Sequence, residues 1–179
     1  ESPSSIGRSG AALLTRGNAT LRRDGSTDAS RDGDPAMHVE LSPGTRIPEE
    51  WSAQWRELLR TDRRWRSPFW RPELIEAFAQ SDPAVEVARI SMSDGTTRGF
   101  LPFRRDGRQG SPAGDACSDL HGVIADRELT PAEARTVLER CGLASFRFHH
   151  LPEEQHSFDS GVDFAERSLS IDLAGGLDR

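Results

Sequence analysis

Four short runs, in order along residues 65–151, decide the fold: Ser67-Pro68-Phe69, Gly99-Phe100-Leu101-Pro102-Phe103, Ser118-Asp119-Leu120-His121-Gly122-Val123-Ile124, and Phe146-Arg147-Phe148-His149-His150-Leu151-Pro152. The first stands ahead of a helical pattern. The second reads as a strand. The third is polar and glycine-containing, and the fourth alternates Phe146 and Phe148 as a half-buried strand does.

The neighbouring sequence extends this frame in both directions. Upstream, Pro48 suits the first turn of a helix whose Trp51, Trp55, Leu58 and Leu59 form one apolar stripe. A second helix is predicted from Pro72, with Leu74, Ile75, Phe78 and Ala79 inward and Asp82-Pro83 ending it. Val85, Val87 and, after a shift, Ile90 mark a strand; Asp94-Gly95 supplies a turn, and Gly99 to Phe103 returns antiparallel. Thr130-Pro131-Ala132-Glu133 is a capping box with proline at the first helical position. Ala134, Val137, Leu138 and Cys141 form the buried face of that helix, which Gly142 ends. Strands are predicted over residues 145–150 and 164–173, the last with Leu169, Ile171 and Leu173 on one face. The expectation is an α/β domain with a mostly antiparallel central sheet and flanking helices.

Composition narrows the function classes. The 179 residues have room for one domain and a tail, and the net charge of −6 offers no global basic field for nucleic acid. All 23 basic residues are arginine, so a Schiff-base or P-loop lysine is excluded. Cys117 and Cys141 belong to no CxxC pattern, and neither a disulfide framework nor a zinc site is indicated. Apolar runs fall far short of the roughly 20 residues of a membrane span, and no signal-peptide core is evident, which makes a cytoplasmic setting the expectation. Residues 1–36, rich in Gly, Ser, Arg and Asp, are expected to be a disordered tail, with Met37 as a natural start and residues 37–179 as the folded domain.

Helix, helix, strand, strand, loop, helix, strand, strand is the opening order of an acetyltransferase fold of the GNAT type. The runs above, together with Pro72-Glu73, Cys141-Gly142-Leu143 and His150-Leu151-Pro152, resemble the N-terminal half of the CelD-type proteins. Those are bacterial GNAT-superfamily acyltransferases named for cellulose biosynthesis and similar to Fem-type cell-envelope aminoacyl transferases. The resemblance covers about residues 39–173. It implies two GNAT-like halves, with acetyl-CoA held by a C-terminal half that this chain lacks and an acceptor that is a small molecule or glycan. An acyl-CoA site requires a glycine-rich turn at a helix N-terminus to hold the pyrophosphate. Gly175-Gly176 has no useful helix after it, and Gly107-Arg108-Gln109-Gly110 is followed by Ser111-Pro112-Ala113-Gly114, which suits a polar hairpin loop. No cofactor is therefore expected on this chain alone.

Among the polar residues, Asp119 and His121 flank Leu120 and point to the same side if extended, giving a carboxylate–imidazole pair able to move a proton. The commoner reading is a loop capping a strand end, with Asp119 bonded to nearby backbone amides, and the pair stands as the candidate catalytic site. Cys117 beside His121 lacks a third group to orient a thiol nucleophile. His149 and His150 are adjacent on a strand and face opposite ways, which prevents both from binding one metal ion. Arg63, Arg64 and Arg66 around Trp65 form either a phosphate grip or a solvated connection between helices. Trp51, Trp55, Trp65 and Trp70 suit core and rim packing. Two functions follow: the non-cofactor half of an acyltransferase acting on an amine or hydroxyl acceptor and docked to its partner half, or a non-catalytic protein-interaction module. A hydrolase built on Asp119 and His121 lacks a nucleophile elbow.

Overall fold

The computed structural model describes residues 12–22, 37–152 and 154–169. The chain runs β1 (Ala12–Arg22), β2 (His38–Pro43), α1 (Glu49–Thr61), α2 (Pro72–Ser81), β3 (Val85–Ser91), β4 (Thr97–Asp106), β5 (Gln109–Pro112), β6 (Ile124–Ala125), α3 (Pro131–Arg140), β7 (Ser145–Pro152) and β8 (Val162–Leu169). Among the described residues the strands form one sheet in the order β2-β3-β4-β5-β7-β1-β8, with β6 pairing β4 separately. The sheet is mixed and mostly antiparallel: among the described residues only β5 and β7 pair in parallel.

Helix boundaries follow local chemistry. Pro48 is the N-cap of α1 rather than its first helical residue, and Pro72 opens α2 at N1. In α3 the Thr130 hydroxyl accepts from the Glu133 backbone N–H while the Glu133 carboxylate accepts from the Thr130 N–H, the expected capping box. The guanidinium of Arg127 beside Glu133 holds that carboxyl down at about 2. At the far end, Arg105 of β4 donates to the Cys141 carbonyl at 2.9 Å and to both oxygens of Glu86 on β3, placing a cation where the helix dipole is negative.

The sheet separates two apolar layers. Val85, Val87, Phe100 and Ile124 pack under α1 and α2 with Trp51, Trp55, Trp70 and Ile75. Ala88, Ile90, Leu101 and Phe103 face the other way, against Val137, Leu138, Phe146 and Phe148. Trp55 lies flat on Phe100, ring centres 4.9 Å apart and 7° from parallel. The β3–β4 hairpin turns at Asp94-Gly95 as expected, the Asp94 carboxylate accepting from the Thr96 N–H at 2.8 Å. Residues 107–108 likewise form the polar turn between β4 and β5.

The tail requires a correction. Ala12–Arg22, expected to be disordered, forms β1 and pairs antiparallel with β7 on one side and β8 on the other. A strand inserted between two others satisfies its N–H and C=O groups through both ladders, which its own composition does not reveal. The rest of the expected tail, residues 1–11 and 23–36, lies outside the described residues, as do residues 170–173 of the last predicted strand.

Candidate functional site

The parallel contact of β5 with β7 is short, Gln109 opposite Ser145 and Gly110 opposite Phe146. A side chain at position 110 would place its Cβ 2.6 Å from the Phe146 ring, and only glycine permits this approach. Beyond that point the chain leaves β5 and crosses a 3-10 turn, Asp115–Cys117, into loop 118–123. The two strands pair only over these residues, while β7 runs on to Pro152.

Two anchors hold this loop. The His121 N–H donates to the His150 carbonyl of β7 at 2.9 Å. The Gln155 side chain accepts from the Val123 N–H at 3.0 Å and donates to the Val123 carbonyl at 3.2 Å. Gly122 lies between them at φ +150°, where a Cβ would stand 2.3 Å from the Gln155 amide. Within the loop, the Ser118 hydroxyl donates to the Leu120 carbonyl at 3.1 Å.

His121 is only 5% exposed. Burial, with His150 and His149 nearby, pushes its pKa down to about 3, so the ring is neutral at pH 7 with one N–H and one lone pair. The Asp115 and Ser118 backbones pull the pKa weakly the other way. Neither meets hydrogen-bond geometry, however, and both ring nitrogens lack a partner. The rings of His149 and His150 stand 6.2 and 6.0 Å away.

Asp119 is exposed, and no hydrogen bond or ion pair joins it to His121. Asp115, rather than Asp119, meets an imidazole here: its Oδ1 lies 3.3 Å from His149 Nε2. Sequence spacing misses this pair because its members stand on separate elements. Cys117 is exposed and Cys141 buried, and burial raises the Cys141 thiol to about 12. Arg64 is paired with Asp62 and sits over Trp65 at 5.1 Å, which suits a capped connection between helices. Among the described residues no three potential ligands gather to hold a metal ion, and no helix is long and apolar enough to cross a membrane.

His121 lines a partly open cleft with about 10 Å³ of free room, on the order of one water molecule. Phe69, Trp70, Ile75, Pro102, Pro112 and Phe146 supply its apolar wall. Trp70 is a second residue there with an unpartnered buried nitrogen, Nε1. A wider groove of about 470 Å³ runs beside β2 and β3, past His38, Arg89 and Arg140. Its Arg89 is already engaged by Glu40 and Glu50 and stacked over Trp51. The smaller cleft holds the unpaired His121 nitrogens but has room only for about one water-sized group.

The chain matches no protein-family model and no curated protein.

Proposed function

We propose that this chain is the acceptor-side half of a GNAT-type acyltransferase of the CelD kind. In this reading a companion C-terminal half holds acetyl-CoA, and the acyl group passes to an amine or hydroxyl of a cell-envelope or polysaccharide-related acceptor. One observation carries the reading: the order of α1, α2, the antiparallel β3–β4 hairpin, α3 and β7, with α3 connecting to a strand that begins parallel to β5. In this reading the half supplies the acceptor surface, while the thioester chemistry belongs to the companion half.

Calorimetry with the chain alone and with a companion half tests this. Acetyl-CoA should give no saturable heat with the chain alone and should bind once a downstream half carrying an Arg/Gln-x-x-Gly-x-Gly/Ala loop before a helix is supplied. Micromolar binding of acetyl-CoA to the chain alone would sink the half-domain reading. A coding sequence that encodes no such downstream loop would favour the protein-interaction module.

A further inference from the structure

Strand β2 ends the sheet: among the described residues it pairs with β3 alone, so its outer backbone groups have no strand beside them. Its side chains alternate between two sides. Val39 and Leu41 stand opposite Ile90 and Ala88, on the side that α3 covers, and Met37 packs with Val39 against that core. His38 and Glu40 take the other side, where Arg89 lies over Trp51 of α1. Arg89 donates to Oε2 of Glu40 through both Nε and Nη2, which leaves Oε1 open to a further donor. Leu41 is 42% exposed and is the exposed large apolar side chain among the described residues. A groove with about 470 Å³ of room runs beside His38, Val39 and Glu40.

We propose that β2 seats a second copy of this chain, the two β2 strands pairing antiparallel about Val39 to make a symmetric dimer. A two-fold axis perpendicular to the sheet sets residues of the same side opposite each other and centres on one residue. Centred on Glu40, it places the two Glu40 carboxylates face to face, and like charges directly opposite are destabilising. Centred on Leu41, it pairs Val39 with Pro43, which has no N–H to donate. Centred on Val39, it sets Met37 against Leu41, Val39 against Val39 and Leu41 against Met37. That apolar row lies on the α3 side and covers Leu41. On the other side His38 meets Glu40 twice, so each imidazole can donate to the Oε1 that Arg89 leaves open. The groove beside residues 38–40 gives the incoming strand its room at the centre of this register. The inference stands apart from the acyltransferase reading.

A contact confined to residues 37–41 of each copy is smaller than a standard interface, so the dissociation constant should be on the order of 10–100 µM. Sedimentation velocity of the full chain, kept reduced, follows the balance from about 1 to 500 µM, with monomer at the bottom and dimer at the top. His38→Glu sets a second carboxylate opposite Glu40 and should weaken the dimer at least about tenfold. Ala132→Glu, on the exposed surface of α3, should leave it within about twofold. Cysteine oxidation in a Cys117→Ser background reads the register. Val39→Cys should give a linked dimer, Leu41→Cys alone should not, and Leu41→Cys together with Met37→Cys should. A chain that stays monomeric throughout, which is also the outcome if another segment or another protein takes this edge, overturns the proposal. So does a dimer that His38→Glu leaves unchanged, one that both added carboxylates weaken equally, or efficient linking through Leu41→Cys alone. If His38→Glu fails to fold, the cysteine pattern decides.

Discussion

The Gln155 side-chain amide pairs with both backbone polar groups of Val123, its oxygen 3.0 Å from the N–H and its nitrogen 3.2 Å from the carbonyl. Gln155 is itself buried. One side chain thus imitates the edge of a strand and fixes the loop that carries His121. Gln155→Leu, close in size but apolar, leaves two buried backbone groups unpaired and should lower stability by about 3 kcal/mol in urea unfolding. A loss below about 0.5 kcal/mol would mean that water replaces the amide at no cost.

Gly122→Ala should be at least as damaging, because its new Cβ meets the Gln155 amide at 2.3 Å on a backbone at φ +150°. The two sites share a contact and should couple. The double variant Gly122→Ala/Gln155→Ala should cost less than the two single changes added together. Strict additivity would locate the glycine's cost in the backbone alone.

The depressed His121 pKa predicts a window of acid sensitivity. The unfolded ring takes a proton near pH 6.5 and the folded ring only near 3, so the unfolded state binds more protons between those values. Stability should be level above about 6.5 and fall as pH drops below it, by up to about 1.4 kcal/mol per pH unit. Below about 4.5 the loss deepens as the Glu133 carboxylate, stabilised by Arg127, begins to protonate in the unfolded chain. The interval between 4.5 and 6.5 therefore isolates the histidine. His121→Gln should flatten ΔG against pH there, and an unchanged slope would assign the effect elsewhere.

The two thiols should separate cleanly. Cys117 is exposed, whereas Cys141 is buried with its thiol raised to about 12. Native protein should react with one equivalent of a thiol reagent and the denatured chain with two. Rapid native labelling of both would show that the end of α3 opens readily.

Asp119→Asn should leave both the thermal midpoint and the His121 titration unmoved, since the carboxylate is exposed and does not reach the ring. A shift of the His121 pKa by more than half a unit in that variant would restore the pairing expected from sequence.

The helices and the central hairpin were legible because their signals are local. Proline at helix starts, the Thr130–Glu133 capping box and Asp94-Gly95 each act within one turn of chain. The irregular pattern of Val85, Val87 and Ile90 has a different cause from a shift in the strand. Val85 and Val87 face one apolar layer while Ala88 and Ile90 face the other, so a strand covered on both sides shows no clean alternation. At the Asp119–His121 pair, the inference that the two side chains share a side assumed an extended segment, whereas His121 is buried and Asp119 exposed. Ser118 bonding to the Leu120 carbonyl and Gly122 at positive φ bend the loop instead. The approach of Asp115 to His149 and the strand β1 both depend on residues distant in sequence, for which period and spacing carry no signal.

The position of β1 also sets an order of events. Residues 12–22 are made before their partners in β7 and β8, which lie more than a hundred residues downstream. The layer of β2, β3 and β4 under α1 and α2 has all its segments available long before that and can condense first. Strand β1 must then wait as an unpaired template until β7 and β8 emerge. Closing that long loop is the slow, non-local step of this topology, and during the wait β1 is the segment most exposed to pairing with another nascent chain.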